Sequence, residues 1–171
     1  MAYEHYRGAS VYVETTIVSY LTSRPNRDII VAANQELTRQ WWEEEREHFE
    51  LFISPLVFEE AANGDPLAVE KRVKVLQQIQ MLERDPTAIG PLTEKIHEAL
   101  KMPLKARADA IHLAYAIHYR LDYLLSWHCT HLANAITCRR LADFCQSETL
   151  WLPIICTPAE MVEQKKGIDD V

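Results

Sequence analysis

The chain has 171 residues, a formal net charge of -7, 48% hydrophobic and 25% charged residues, values that exclude a disordered segment and give enough length to bury a core. The acidic balance excludes a general nucleic-acid clamp, which would carry a basic face, but leaves open an enzyme whose bound ions approach phosphate. Only 4 glycines are present, against a glycine-rich phosphate cradle, and no apolar run approaches the roughly 20 residues that span a membrane.

In chain order, SVYVE (Ser10–Glu14) predicts a strand that ends on a lone carboxylate, Glu14, followed by Thr15 and Thr16. RDIIVAANQELTRQWWEEEREHF predicts one long helix with Ile29, Ile30, Ala33, Leu37 and Trp41 on its apolar face and EEERE on its solvated one. ELFIS (Glu50–Ser54) reads as a second strand. The Ser-Pro of SPLVFEEAANGD enters a helix that Asn63-Gly64 ends. Asp65 as cap and Pro66 at the first position start the next, with Leu67, Val69, Val73, Leu76 and Ile79 at helical spacing. After an apolar piece around Met81-Leu82, TEKIHEALKM predicts a helix closed by Pro103. ARADAIHLAYAIHYR predicts a largely buried helix, DYLLSW a strand, THLANAITCRRLADFC a helix, and LPIICTP a last strand before a helical C-terminal tail.

Strands alternating with helices imply one α/β domain with a mostly parallel sheet of four to five strands and helices on both faces. MAYEHYRGAS has no apolar leader core, so a cytoplasmic location is expected. The four cysteines, at 129, 138, 145 and 156, are too few and too clustered for a disulfide scaffold, so reduced thiols are expected.

Ligands bind such sheets outside the carboxyl ends of the strands. Glu14 ends the first strand, Glu59 and Glu60 follow the second, and His128 and His131 follow DYLLSW. Asp109 stands near the start of the buried helix, where an uncompensated acid is costly. Carboxylates gathered at one edge repel unless cations lie between them, and that many hard oxygens suit Mg²⁺ or Mn²⁺. Ions of this kind polarise phosphate and activate water, so phosphodiester hydrolysis is the natural chemistry.

The ordered set VYVETT, SPLVFEEAANGD, ARADAIHLAYAIHYRLDYLLSW and HCTHLAN resembles the PIN-domain family, in particular the VapC-type toxins of toxin–antitoxin modules, over roughly residues 11–158. The resemblance implies a three-layer α/β/α fold and a metal-dependent ribonuclease. It implies Glu14, Glu60 and Asp109 as catalytic and metal-binding acids, with Thr16 and His128 in supporting places. It also implies an RNA substrate, a cognate antitoxin and a homodimer, the last expected to use the apolar part of the helix that contains Trp41. Two departures stand out: Glu14 replaces the usual Asp, and His128 stands where an acid or amide is expected. His128 then either favours Mn²⁺ over Mg²⁺ or leaves one site empty. These departures motivate the alternative of a weakened PIN domain that binds RNA or protein without cutting.

Several residues have plainer readings. Thr16 is a helix cap, His112 a hydrogen-bonded core histidine sharing the face of Asp109, and Asp122 a turn residue at the opposite end of the sheet. His128-x-x-His131 beside Cys129 has zinc-ligand spacing, but the other cysteines supply no C-x-x-C to complete a site. Glu14 is expected to face Asp109 across a shared cation.

Overall fold

A computed structural model describes residues 8–162. The expected α/β architecture is present, and its sheet is parallel throughout. Strands β1 (Ala9–Val13), β2 (Phe49–Ile53), β3 (Gln80–Met81), β4 (Tyr123–Leu125) and β5 (Ile154–Cys156) lie in the order β3-β2-β1-β4-β5. The two middle strands bury Val11, Tyr12, Val13, Leu124 and Leu125 completely. That is why they read as continuous apolar runs rather than alternating ones.

Helices α1 (Thr15–Thr22), α2 (Ile29–Gln40), α3 (Pro55–Ala61) and α4 (Pro66–Leu76) connect β1 through β2 to β3, moving one way across the sheet. The chain then jumps back over β1. Helices α5 (Pro86–Ala99), α6 (Arg107–His118) and α7 (Ala135–Ser147) serve β4 and β5, moving the other way, and α8 (Pro158–Met161) follows. Right-handed crossovers put helices of opposite travel on opposite faces, in keeping with α5 packing on α6 and α7, and α1 on α2, α3 and α4. The travel reverses between β1 and β4, where an open parallel sheet forms its crevice. The backbone extends the pairing past the strand ends there: Glu14 N–H donates to Leu125 O at 3.1 Å and Ser126 N–H to Cys156 O at 3.0 Å. Asp122 lies at the other end, as expected, with its carboxylate accepting from Ser10 N and Oγ, each at 2.8 Å.

Three expectations are corrected. The long helix stops at Gln40, becoming a wide π turn over Trp41–Glu45 and a tight turn over Arg46–His48 before β2. The widened turn carries Trp41 and Glu45 inward, so Glu45 is not on a solvated face. Trp41 is fully buried within the chain.

The buried side of α2 is polar instead. Gln35 clamps the preceding loop through Ser23 Oγ, Arg24 O and Asn26 N, and Thr38 Oγ accepts from the Trp127 indole at 2.7 Å. Those contacts turn Ile29 and Ile30 outward, 83% and 70% exposed.

The third correction is α5, which begins at Pro86 and not at Thr93, capped by Asp85 accepting from Ala88 N, with Pro91 inside it. Of the expected C-terminal tail, α8 is helical and residues 163–171 lie outside the described residues, as do residues 1–7. Among the described residues no helix is long and apolar enough to cross a membrane.

Candidate metal centre

The reversal between β1 and β4 places Glu14 beside Ser126, Trp127 and His128. Glu14 is the N-cap of α1: its Oε2 accepts from Thr16 N at 3.1 Å and Thr16 Oγ at 2.5 Å, and also from Ser126 Oγ at 2.8 Å. Thr16 is therefore not the cap but the clamp on it, and its Oγ accepts from Trp127 N at 2.9 Å, tying α1 to the end of β4. Three donors on one oxygen hold an acid that is 4% exposed. The charge of an acid at a helix start also meets the positive end of the helix dipole.

Glu60 comes from α3 and is clamped on its Oε2 by Thr15 Oγ and by His112 Nε2 at 3.2 Å. His112 lies on α6 one turn after Asp109. Its Nδ1 meets Tyr12 Oη at 2.7 Å, and Tyr12 Oη meets Ser54 Oγ at 2.6 Å. His112 is a buried, hydrogen-bonded histidine as expected, but it also faces two carboxylates, with Glu14 Oε1 3.9 Å from its Nε2.

Burial pulls the imidazole down. The hydrogen bond to Glu60 and the charges of Glu14, Glu60 and Asp109 together outweigh that, so its pKa lies above the usual histidine value. Burial pushes the Glu60 carboxyl up, but His112, Thr15 and the charge of His128 bring it below the usual glutamate value. The two directions agree: His112 and Glu60 form an ion pair. The imidazolium donates from both nitrogens, and the Tyr12 phenol, kept protonated chiefly by its burial, passes its own proton toward Ser54.

Asp109 belongs to a neighbouring group. It sits in the first turn of α6, 5% exposed, and its Oδ1 lies 2.7 Å from His128 Nδ1. The rings of His128 and His131 meet edge to face with centroids 5.1 Å apart. Two sets of possible metal ligands thus result, Glu14/Glu60/His112 and Asp109/His128/His131, with the ligand atoms of each set within 4.8 Å of one another. Glu14 and Asp109 are not gathered into one set.

All three expected acids share a pattern. One oxygen of each is held by the protein: Glu14 Oε2, Glu60 Oε2 and Asp109 Oδ1. Among the described residues, the other oxygen of each accepts no hydrogen bond. Side chains fixed by one oxygen and open at the other suit a divalent cation of unspecified kind.

Glu59 separates cleanly from Glu60, since it is exposed and paired with Arg84 at 2.5 Å. Reading the sequence missed Thr15, Ser126 and Tyr12 as site residues, although Thr15 and Ser126 carry hydroxyls directly after buried strands. Comparison with protein-family models, curated proteins and solved structures found no match for the chain.

Proposed function

We propose that the protein is a divalent-metal-dependent ribonuclease of PIN type, acting as the toxin of a toxin–antitoxin pair. The observation that carries this reading is the trio of acids from the β1–α1 junction, α3 and α6, each clamped by one oxygen and open at the other, beside the strand-order reversal. That donor set fits hard cations such as Mg²⁺ or Mn²⁺, with Glu14 and Glu60 on one side of the site and Asp109 on the other as the acids that would hold them. When bound, such an ion polarises a phosphodiester and lowers the pKa of water beside it.

The chain's own residues do the rest. Thr15, Thr16 and Ser126 fix the two glutamates before substrate arrives, so no reorganisation is spent at the moment of reaction. The His112 imidazolium offsets part of the negative charge of Glu14 and Glu60, which keeps the acids together before an ion enters. The longer side chain of Glu14 is accommodated by folding back onto the start of α1.

Asp109→Asn keeps the side-chain shape and removes the charge. It should abolish Mn²⁺-dependent RNA cleavage while the circular dichroism spectrum and Tm stay those of the parent. Cleavage as fast as the parent's would overturn the assignment.

A second reading, a PIN-type module that binds RNA or protein without cutting, is favoured by the same His112–Glu60 pair, which neutralises charge that an ion would otherwise meet. Calorimetric titration separates the two. Absence of binding at millimolar Mn²⁺ supports the module, and Mn²⁺ binding with metal-dependent cleavage supports the enzyme.

A further inference from the structure

We propose that Asp109, which the proposed nuclease site also uses, forms with His128 and His131 a second metal position of two nitrogens and one oxygen, which takes an imidazole-preferring first-row ion such as Zn²⁺ in preference to Mg²⁺. The histidines are brought together by backbone, not by chance of rotamer. Leu132 N–H donates to His128 O at 2.9 Å, closing a single helical turn that puts residues 128 and 131 on one side. Leu132 is fully buried and anchors that turn in the core. Asn134 ties it to α7, donating to Cys129 O and Thr130 O and accepting from Thr137 N.

Asp109 approaches from a different element, the first turn of α6. Its side chain is 7% exposed and accepts a hydrogen bond on Oδ1 alone. Its other oxygen takes no donor from the protein among the described residues and stays open to a cation. His131 makes ring contact with His128 and no hydrogen bond among the described residues. Three groups with lone pairs to spare therefore converge within 4.8 Å.

Two imidazoles and one carboxylate suit Zn²⁺, which takes three protein ligands and keeps one position for water. Mg²⁺ requires near-octahedral oxygen and holds its waters, so it gains little from imidazole. The His-x-x-His spacing thus finds its third ligand in a carboxylate from another helix, and Cys129, which is exposed, is not needed. The inference shares Asp109 with the proposed nuclease site but does not depend on cleavage.

The full chain, stripped of metal, is titrated with Co²⁺ while visible absorption is followed, and then with Zn²⁺ by competition and calorimetry. One Zn²⁺ per chain should bind and displace Co²⁺, and millimolar Mg²⁺ should displace neither. His131→Ala should weaken Zn²⁺ by at least about tenfold, whereas His97→Ala, on α5, should leave it unchanged. His131→Gln, which keeps the volume of the turn, gives the same reading if the alanine variant does not fold. Absence of Zn²⁺ binding, equal affinity in the His131 variants, or displacement by Mg²⁺ would each overturn the proposal. Zn²⁺ binding without any RNA cleavage would overturn the nuclease reading and leave this one, and cleavage without Zn²⁺ binding would do the reverse.

Discussion

The two halves of the site are built differently. Glu14, Glu60 and His112 come from the start of α1, from α3 and from α6 and are locked by hydroxyls and by each other, with a buried cation offsetting part of the charge of the two acids. Asp109, His128 and His131 share one internal hydrogen bond, and His128 is 39% exposed. The first half is partly neutralised and held by hydrogen bonds before any ligand arrives. The second is open, with lone pairs unspent.

The largest effect that breaks this contrast is expected at Glu14. Glu14→Gln retains an oxygen to cap α1 but loses the charge, and should lower metal-dependent cleavage by roughly a hundredfold or more with little change in Tm. Glu14→Asp should preserve or raise cleavage. A Gln variant as active as the parent would detach Glu14 from the chemistry.

Next comes His112. Its removal leaves Glu14 and Glu60 facing each other without their cation and opens a cavity, so His112→Ala should cost about 3 kcal/mol by denaturant unfolding. Added Mn²⁺ should restore part of that loss, more than it stabilises the parent.

The pair also sets a pH window. The His112 contribution is complete below the ordinary histidine pKa and is lost as pH rises through its raised folded value. The Glu60 contribution is complete above the ordinary glutamate pKa and is lost as pH falls through its lowered folded value. The parent should therefore be most stabilised by the pair between those two ordinary values, and His112→Ala should flatten Tm against pH there. An unchanged profile would show that the pair is not ionised as described.

Ser126→Ala is smaller. It removes one of three donors on Glu14 Oε2 and should cost about 1.5 kcal/mol.

The smallest effect sharpens the contrast in accessibility. Burial pushes the Cys156 thiol up to about 12 and the Cys145 thiol up to about 11, so both should resist thiol reagents at pH 8. Cys129, exposed in the turn between the two histidines, should label first, and Zn²⁺ should slow that labelling. Equal labelling with and without Zn²⁺ would place the ion elsewhere.

Much of this was legible in the sequence where local signals and long-range packing agree. β1, β4 and α6 are apolar on all sides because they are buried on all sides, and the acids at their ends were visible for that reason. Asp65-Pro66 announced α4, and Asp85-Pro86 announces α5 in the same way, but Pro91 masked the continuation.

The run from Arg27 to Phe49 misled because its periodicity counts only apolar residues. Gln35 and Thr38 dock α2 through hydrogen bonds to distant partners, and no spacing rule sees that. His112 was legible as a core histidine. Its contact with Glu60 depends on α3 meeting α6, which only the fold supplies. The sequence also left Glu59 and Glu60 nearly equal, and the Arg84 pair on the outer face separates them.

RNA incubated with the protein and Mn²⁺ reports the chemistry through its end groups. If the proposed nuclease reading holds, water attack on a phosphodiester at Glu14, Glu60 and Asp109 would leave linear monophosphate and hydroxyl ends that carry oxygen-18 when the reaction runs in labelled water. Such ends are expected with Mn²⁺ and not with a chelator present. Cyclic 2′,3′-phosphate ends, or cleavage that persists with the chelator, would contradict that reading.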